Sequence, residues 1–228
     1  MTRFVRLASL VLVLSCSDLT EGAGGVVELE ITTPALSSVE VGEALQLTAR
    51  ALDKDGNPVG VPITWRSSDP SLSVDDTGLV TGVAPGAADV QAFAGTLGSG
   101  RIPLTVIARA DTLMIVGDSV VTVAPEALAS VPLVVQVSSF SQVDPLSTRP
   151  VAYTVTSPPD VPPQTVAFPG GVLVDTIFTG TTGQTPGLPL GRVVGVAAPD
   201  TAIVVIRSYR ASGADVPGSG QRFIILFQ

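Results

Sequence analysis

Acidic side chains grouped with glycine or serine are the first places where this sequence could do chemistry. In Asp53-Lys54-Asp55-Gly56-Asn57, three oxygen-bearing side chains flank a glycine, as they would around a calcium ion. The calcium loop of helix–loop–helix proteins needs glycine at its sixth position and glutamate at its twelfth. Counted from Asp53, those places hold Pro58 and Thr64, so the segment reads as a hairpin turn. Asp69, Asp75 and Asp76 could gather at one end of a domain and hold calcium, or they could be solvated loop acids. Lys54 is the single lysine, and a serine–lysine nucleophile would need that amine desolvated, whereas it stands in a polar turn. Paired carboxylates for glycosidic cleavage would need one partner in an apolar pocket beside a cleft. Every acid is expected in or beside a turn, or on the polar face of an alternating strand.

The chain has no histidine and one cysteine, Cys16. That composition excludes the Ser-His-Asp and Cys-His triads, histidine-ligated zinc and any internal disulfide. No cofactor or catalytic residue is therefore expected, and the protein reads as a non-enzyme. Of its 228 residues 45% are apolar and 14% charged, with 23 glycines and 19 prolines. Short runs of Val, Leu, Ile and Ala, broken by Gly/Pro/Asn/Asp turns, are the pattern of an all-β sandwich. The formal charge is −8, and loss of Arg3 and Arg6 with a leader segment would take it to about −10. Such a surface repels phosphate backbones, so nucleic acid is not expected as a partner.

The elements that must position these residues begin after an N-terminal targeting segment. Arg3 and Arg6 precede the apolar run Leu7–Leu14, which as a helix spans about 12 Å against a hydrocarbon core of ~30 Å. That is the shape of a signal segment rather than a membrane span. Val13-Leu14-Ser15-Cys16 resembles the lipobox of bacterial lipoproteins, with Val where Leu is commoner at its first place and Leu at its second. The resemblance implies cleavage after Ser15, a diacylglycerol thioether on Cys16 and attachment to a membrane. An ordinary signal peptide with an incidental cysteine is the alternative. Residues 16–25 are small, polar and glycine-rich, suiting a tether. Ser17 after the lipidation site resembles lipoproteins sorted to an outer membrane.

From Val26 onward, strands with period two alternate with turns. Val27–Ile31, Ala44–Ala51, Ile63–Ser67, Leu79–Thr81, Ala88–Phe93 and Ile102–Val106 are predicted strands, with the single Trp65 between two sheets. In order along the chain, Gly42, Gly56, Trp65, Ser67, Ser68, Gly78, Val80, Thr81, Gly82, Gly86 and Ala87 match a known pattern. Residues 26–108 thereby resemble the bacterial immunoglobulin-like domain, group 2, which occurs in cell-surface proteins as a spacer or an adhesive unit. Leu72 departs from the valine-alanine pair usual at its place. The resemblance carries over no site residues.

The pattern restarts after residue 110, with strands expected at Leu113–Val116, Val120–Val123, Leu133–Ser138, Val151–Thr156, Val172–Phe178, Val193–Ala197, Ile203–Arg207 and Phe223–Phe227. Asp144-Pro145 through Pro150-Val151-Ala152-Tyr153 parallels Asn57-Pro58 through Pro62-Ile63-Thr64-Trp65, placing Tyr153 where Trp65 stands. Residues 111–228 are thus expected to form a second, diverged Ig-like sandwich. The run Arg222–Gln228 is apolar on both faces, so it either pairs inside this unit and packs on a loop such as 157–163, or meets another protein. Tyr209 and Phe140 are the aromatics left for stacking on a sugar. The partners open at this stage are a membrane through Cys16 and, beyond it, another surface protein or a glycan.

Overall fold

Alternating burial explains why these segments form sheets. In the computed structural model, which describes residues 25–32, 34–140, 146–197 and 199–228, the described residues form β-strands and no helix. The signal segment, Cys16, most of the tether and the Asp144-Pro145 pair lie outside the described residues.

Eleven strands fall before residue 108. They are β1 (Glu28–Ile31), β2 (Ser38–Glu40), β3 (Ala44–Gln46), β4 (Ala49–Leu52), β5 (Pro58–Val59) and β6 (Thr64–Ser67), followed by β7 (Leu72–Val74), β8 (Leu79–Gly82), β9 (Gly86–Ala94), β10 (Leu97–Gly98) and β11 (Ile102–Ile107). β9 is the hub, pairing with β6, β10 and β11, and it alternates buried Ala88, Val90, Ala92 and Ala94 with more exposed Asp89, Gln91 and Phe93. β11 pairs in parallel with β2, while β1-β4-β5 and β3-β8-β7 form separate sheets. The predicted strand Ala44–Ala51 divides. β3 joins β8, the chain passes buried Leu47, and β4 crosses to β1. Period-two burial persists through the break, which is why the sequence alone reads it as one strand.

Nine strands follow residue 111. They are β12 (Thr112–Val116), β13 (Val120–Val123), β14 (Val134–Ser138), β15 (Pro150–Ser157), β16 (Val166–Ala167), β17 (Val174–Phe178), β18 (Gly191–Arg192), β19 (Thr201–Ser208) and β20 (Arg222–Phe227). A five-stranded sheet runs β13-β20-β19-β15-β17, facing the β12-β14 pair, to which residues 184–188 add through bridges at Gln184 and Leu188. Among the described residues, no strand pairing joins the two sets. The predicted strand at Val193–Ala197 is absent. The short strand lies at Gly191–Arg192, and the chain then turns through Val194 and Gly195, whose φ of +81° interrupts an extended course.

The final strand also differs from one expectation. β20 is interior to its sheet, antiparallel to β19 and parallel to β13, so both edges are used and no partner can add to them. Phe223, Ile225 and Phe227 point into the core, while Ile224 on the other face is 37% exposed. The pairing inside the unit is as expected, and the covering of that outer face by a loop is not seen at Ile224.

Candidate functional site

The turns at Asp53, Asp69 and Asp75 each spend that carboxylate on their own backbone. Asp53 Oδ1 accepts the N–H groups of Asp55 and Asn57, each at 2.9 Å, closing the hairpin predicted there. Asp75 Oδ1 accepts from the Thr77 hydroxyl at 2.7 Å and from the N–H groups of Thr77 and Leu79. Asp69 Oδ1 accepts the Ser71 N–H at 2.8 Å. These bonds to the charged form hold all three carboxyls below the usual aspartate value: chiefly the Asn57 N–H for Asp53, the Ser71 N–H for Asp69 and the Thr77 hydroxyl for Asp75. Among the described residues no three acids stand together in a group that could hold a metal ion. Lys54 pairs with Asp55 in the exposed turn, at 2.8 Å.

The aromatic residues divide between core and surface. Tyr153 is fully buried, edge-on to Phe168 with ring centroids 6.4 Å apart, and its hydroxyl bonds to the Leu133 carbonyl and Thr185 hydroxyl. Burial pushes this phenol up to about 12. Trp65 is only half-buried, contrary to a fully enclosed core residue. Its indole lies between two apolar clusters, one around Val80 and Leu104 and one around Leu29 and Ala92, and packs on both. Gly78 makes this possible, because a Cβ there would lie 2.8 Å from the indole ring and its φ of +81° suits glycine.

Phe140 and Tyr209 are exposed, as the sequence suggested, and so is Phe178, which it did not single out. Phe178 shares the outward face of β17 with Val174 and Thr176, a period-two placement visible in the sequence. A depression of about 170 Å³ lined by Arg66, Gln91, Asp89 and Arg101 lies over the outer face of β9, with the Arg66 guanidinium 5.0 Å from the Phe93 ring. It is smaller than ordinary small-molecule sites, and its ring is already covered by Arg66.

Two acids, Glu40 and Asp111, depart from the expectation that every carboxylate lies at a turn or on a polar strand face. Glu40, the last residue of β2, is 0% exposed. Its Oε1 accepts from Arg149 Nη1 at 2.8 Å and from the Ala211 N–H at 3.4 Å. Its Oε2 accepts the Ala110 N–H at 3.0 Å and faces Arg210 Nε at 4.0 Å. The residues contacting it come from the connecting segment and from two turns of the second strand set. Arg149 also donates to the Ala108 carbonyl, and Arg210 donates to the Ala110 carbonyl at 2.9 Å. Asp111, itself 3% exposed, accepts from Arg109 at 2.6 Å and from the Phe140 N–H at 2.9 Å. Burial works to raise the Asp111 carboxyl, but the Phe140 N–H and Arg109 outweigh it and hold the group below its usual value.

Nothing in the sequence around Glu40 marks it. Ser38-Val39-Glu40-Val41 reads as one more alternating stretch, and the arginines that meet it are distant in sequence. Gly82 carries a weak signal: a Cβ there would lie 2.7 Å from the Glu40 carbonyl oxygen, so β8 must pass close to this end of β2.

Residues 27–106 match the bacterial Ig-like domain (group 2), in agreement with the resemblance read over 26–108. No curated protein matches the chain in sequence. Among solved structures, the chain is similar to the Yersinia pseudotuberculosis adhesin InvE at 16% identity and a TM-score of 0.42. That likeness covers 91% of this chain and 61% of the other, so the chain spans about three fifths of the adhesin structure's length. It is similar to domains 4 and 5 of the S-layer protein SbsC at 21% identity and TM-score 0.34, covering 89% and 98% of the two chains. The fibronectin(III)-like modules of Clostridium thermocellum CbhA give 16% identity and TM-score 0.41, over 88% and 94%.

Proposed function

We propose that this is a non-catalytic lipoprotein of the bacterial cell envelope, exported by residues 1–15 and anchored through a lipid on Cys16. Residues 16–25 serve as its tether. An Ig-like module at 26–108 and a second sandwich at 111–228 hold a surface away from the membrane, as a spacer or as an adhesive, protein-binding unit. The observation that carries this reading is the match of residues 27–106 to the bacterial Ig-like domain. The chemistry of the acids supports it: Asp53, Asp69 and Asp75 serve their own turns, and Glu40 and Asp111 are occupied by arginines and backbone N–H groups.

The test is to express the whole chain in a bacterial host supplied with labelled palmitate, then to probe intact cells with protease. Label on wild type that Cys16→Ser lacks, together with cleavage on intact cells, is the expected result. Absence of label, or equal label on Cys16→Ser, refutes the anchor. Protection from protease on intact cells refutes the exposed location. A second reading, binding of cell-envelope carbohydrate, draws on the exposed rings of Phe140, Phe178 and Tyr209. A glycan array that retains the protein, and releases it when those rings become alanine, would favour that reading.

A further inference from the structure

Linkers between tandem domains are ordinarily exposed, and relative motion of the domains is the default. The segment 108–111 here is the opposite. The Ala108 and Ala110 carbonyls accept from Arg149 and Arg210, the Ala110 N–H goes to Glu40, and the Asp111 N–H goes to the Ser138 carbonyl at 2.9 Å. Ala110 is 0% exposed and belongs to the core cluster of the second strand set. The charges around this segment match: Glu40, Glu43 and Asp111 stand against Arg109, Arg149 and Arg210, in a chain whose overall charge is −8. Glu43 adds an outer contact, accepting from the Ser212 hydroxyl at 3.2 Å.

We infer that Glu40, gripped by Arg149 and Arg210, is an orienting joint that fixes the angle between the two strand sets, so that they stand as one stiff body. A buried ion pair is a poor source of net stability, because desolvation offsets the attraction between the charges. Its geometric demand is strict, however, since a planar guanidinium and a carboxylate bond well in few relative placements. Tilting one set against the other would strip Glu40 of its partners and leave its charge buried and unpaired. The joint therefore penalises departure from one angle, which exposed pairs such as Arg50–Glu30 cannot do. This inference does not depend on the anchor: a chain lacking lipid would be equally stiff.

The test measures a distance across the joint in the full chain. Spin labels at Thr64→Cys and Thr176→Cys, both exposed sites, sit on opposite sides of it, and Cys16→Ser removes the chain's only other thiol. One narrow distance distribution is expected, broadening about two-fold or more in Glu40→Gln as domain motion returns to its default. Arg149→Met, which removes the grip from the other side, should broaden it likewise and serves where Glu40→Gln fails to fold. Circular dichroism identifies folded samples. A broad distribution in the parent, or an unchanged narrow one in a folded Glu40→Gln or Arg149→Met, overturns the inference.

Discussion

The two strand sets meet the same problem, burying one face of each sheet, by different means. The second set gathers its buried residues into one continuous cluster, whose largest side chains are Tyr153, Phe168 and Phe223. The first, among the described residues, has two smaller clusters of aliphatic side chains, with the half-buried Trp65 packed on both. Yet it is the first set whose sequence is recognisable. Its turns demand particular residues, such as Asp53, Gly56, Asp75 and Gly78, whereas a large apolar core accepts many combinations of Val, Leu, Ile and Phe. Legibility in the sequence thus follows turn chemistry and not the size of the core.

This contrast can be broken by substitution. Tyr153→Ala should have the largest effect, about 3–5 kcal/mol, since it leaves a cavity in the core and takes from the Thr185 hydroxyl one of its two partners, the Val135 N–H remaining. Trp65→Ala should cost less, about 2–3 kcal/mol, because the indole is partly solvated and aliphatic packing survives on either side. Both are read as shifts in denaturant midpoint, and a larger loss for Trp65→Ala would reverse the ranking of the two cores. Gly78→Ala follows at about 1–3 kcal/mol, combining an unfavourable φ with a collision against the Trp65 ring. A neutral Gly78→Ala would remove the turn-chemistry explanation.

Two smaller, pH-dependent effects sharpen the comparison. The lowered carboxyls of Asp53, Asp69, Asp75 and Asp111 protonate more readily in the unfolded chain. Their stabilisation is complete above the ordinary aspartate value of 3.8 and is lost as pH falls through their lower folded values. Three of the four belong to the first set, so its unfolding, followed by Trp65 fluorescence, should respond more to acid than the second. Asp75→Asn should flatten that response. The raised phenol of Tyr153 acts at the other extreme: its contribution is present below 10 and lost as pH rises towards about 12. Alkaline titration should therefore loosen the second set, and Tyr153→Phe should abolish that dependence.

Alternation in the sequence marks β9, β11 and β15, and continuous apolar runs mark β19 and β20. What escaped depends on distant partners. The crossing between β3 and β4 hides because alternation continues through it. Glu40 hides because its arginines lie far along the chain, and only the fold brings them together. Val193–Ala197 misleads in the opposite direction: it is apolar like a strand, yet the chain turns at Val194 and Gly195.

The parallel pairing of β13 with β20 has a consequence for the order in which a nascent chain can close. Val120–Val123 and Arg222–Phe227 are neighbours in the sheet although about a hundred residues lie between them. A polypeptide emerging amino end first holds β13 without its partner until the final strand is free, and such distant pairing is slow to form. Strands β1 to β11, which span the Ig-like region and end at Ile107, pair only with one another. The chain can therefore close its first set earlier, while the sheet of the second waits on Phe223, Ile225 and Phe227. Until then the hydrophobic inner face of β13, Val121 and Val123, is bare.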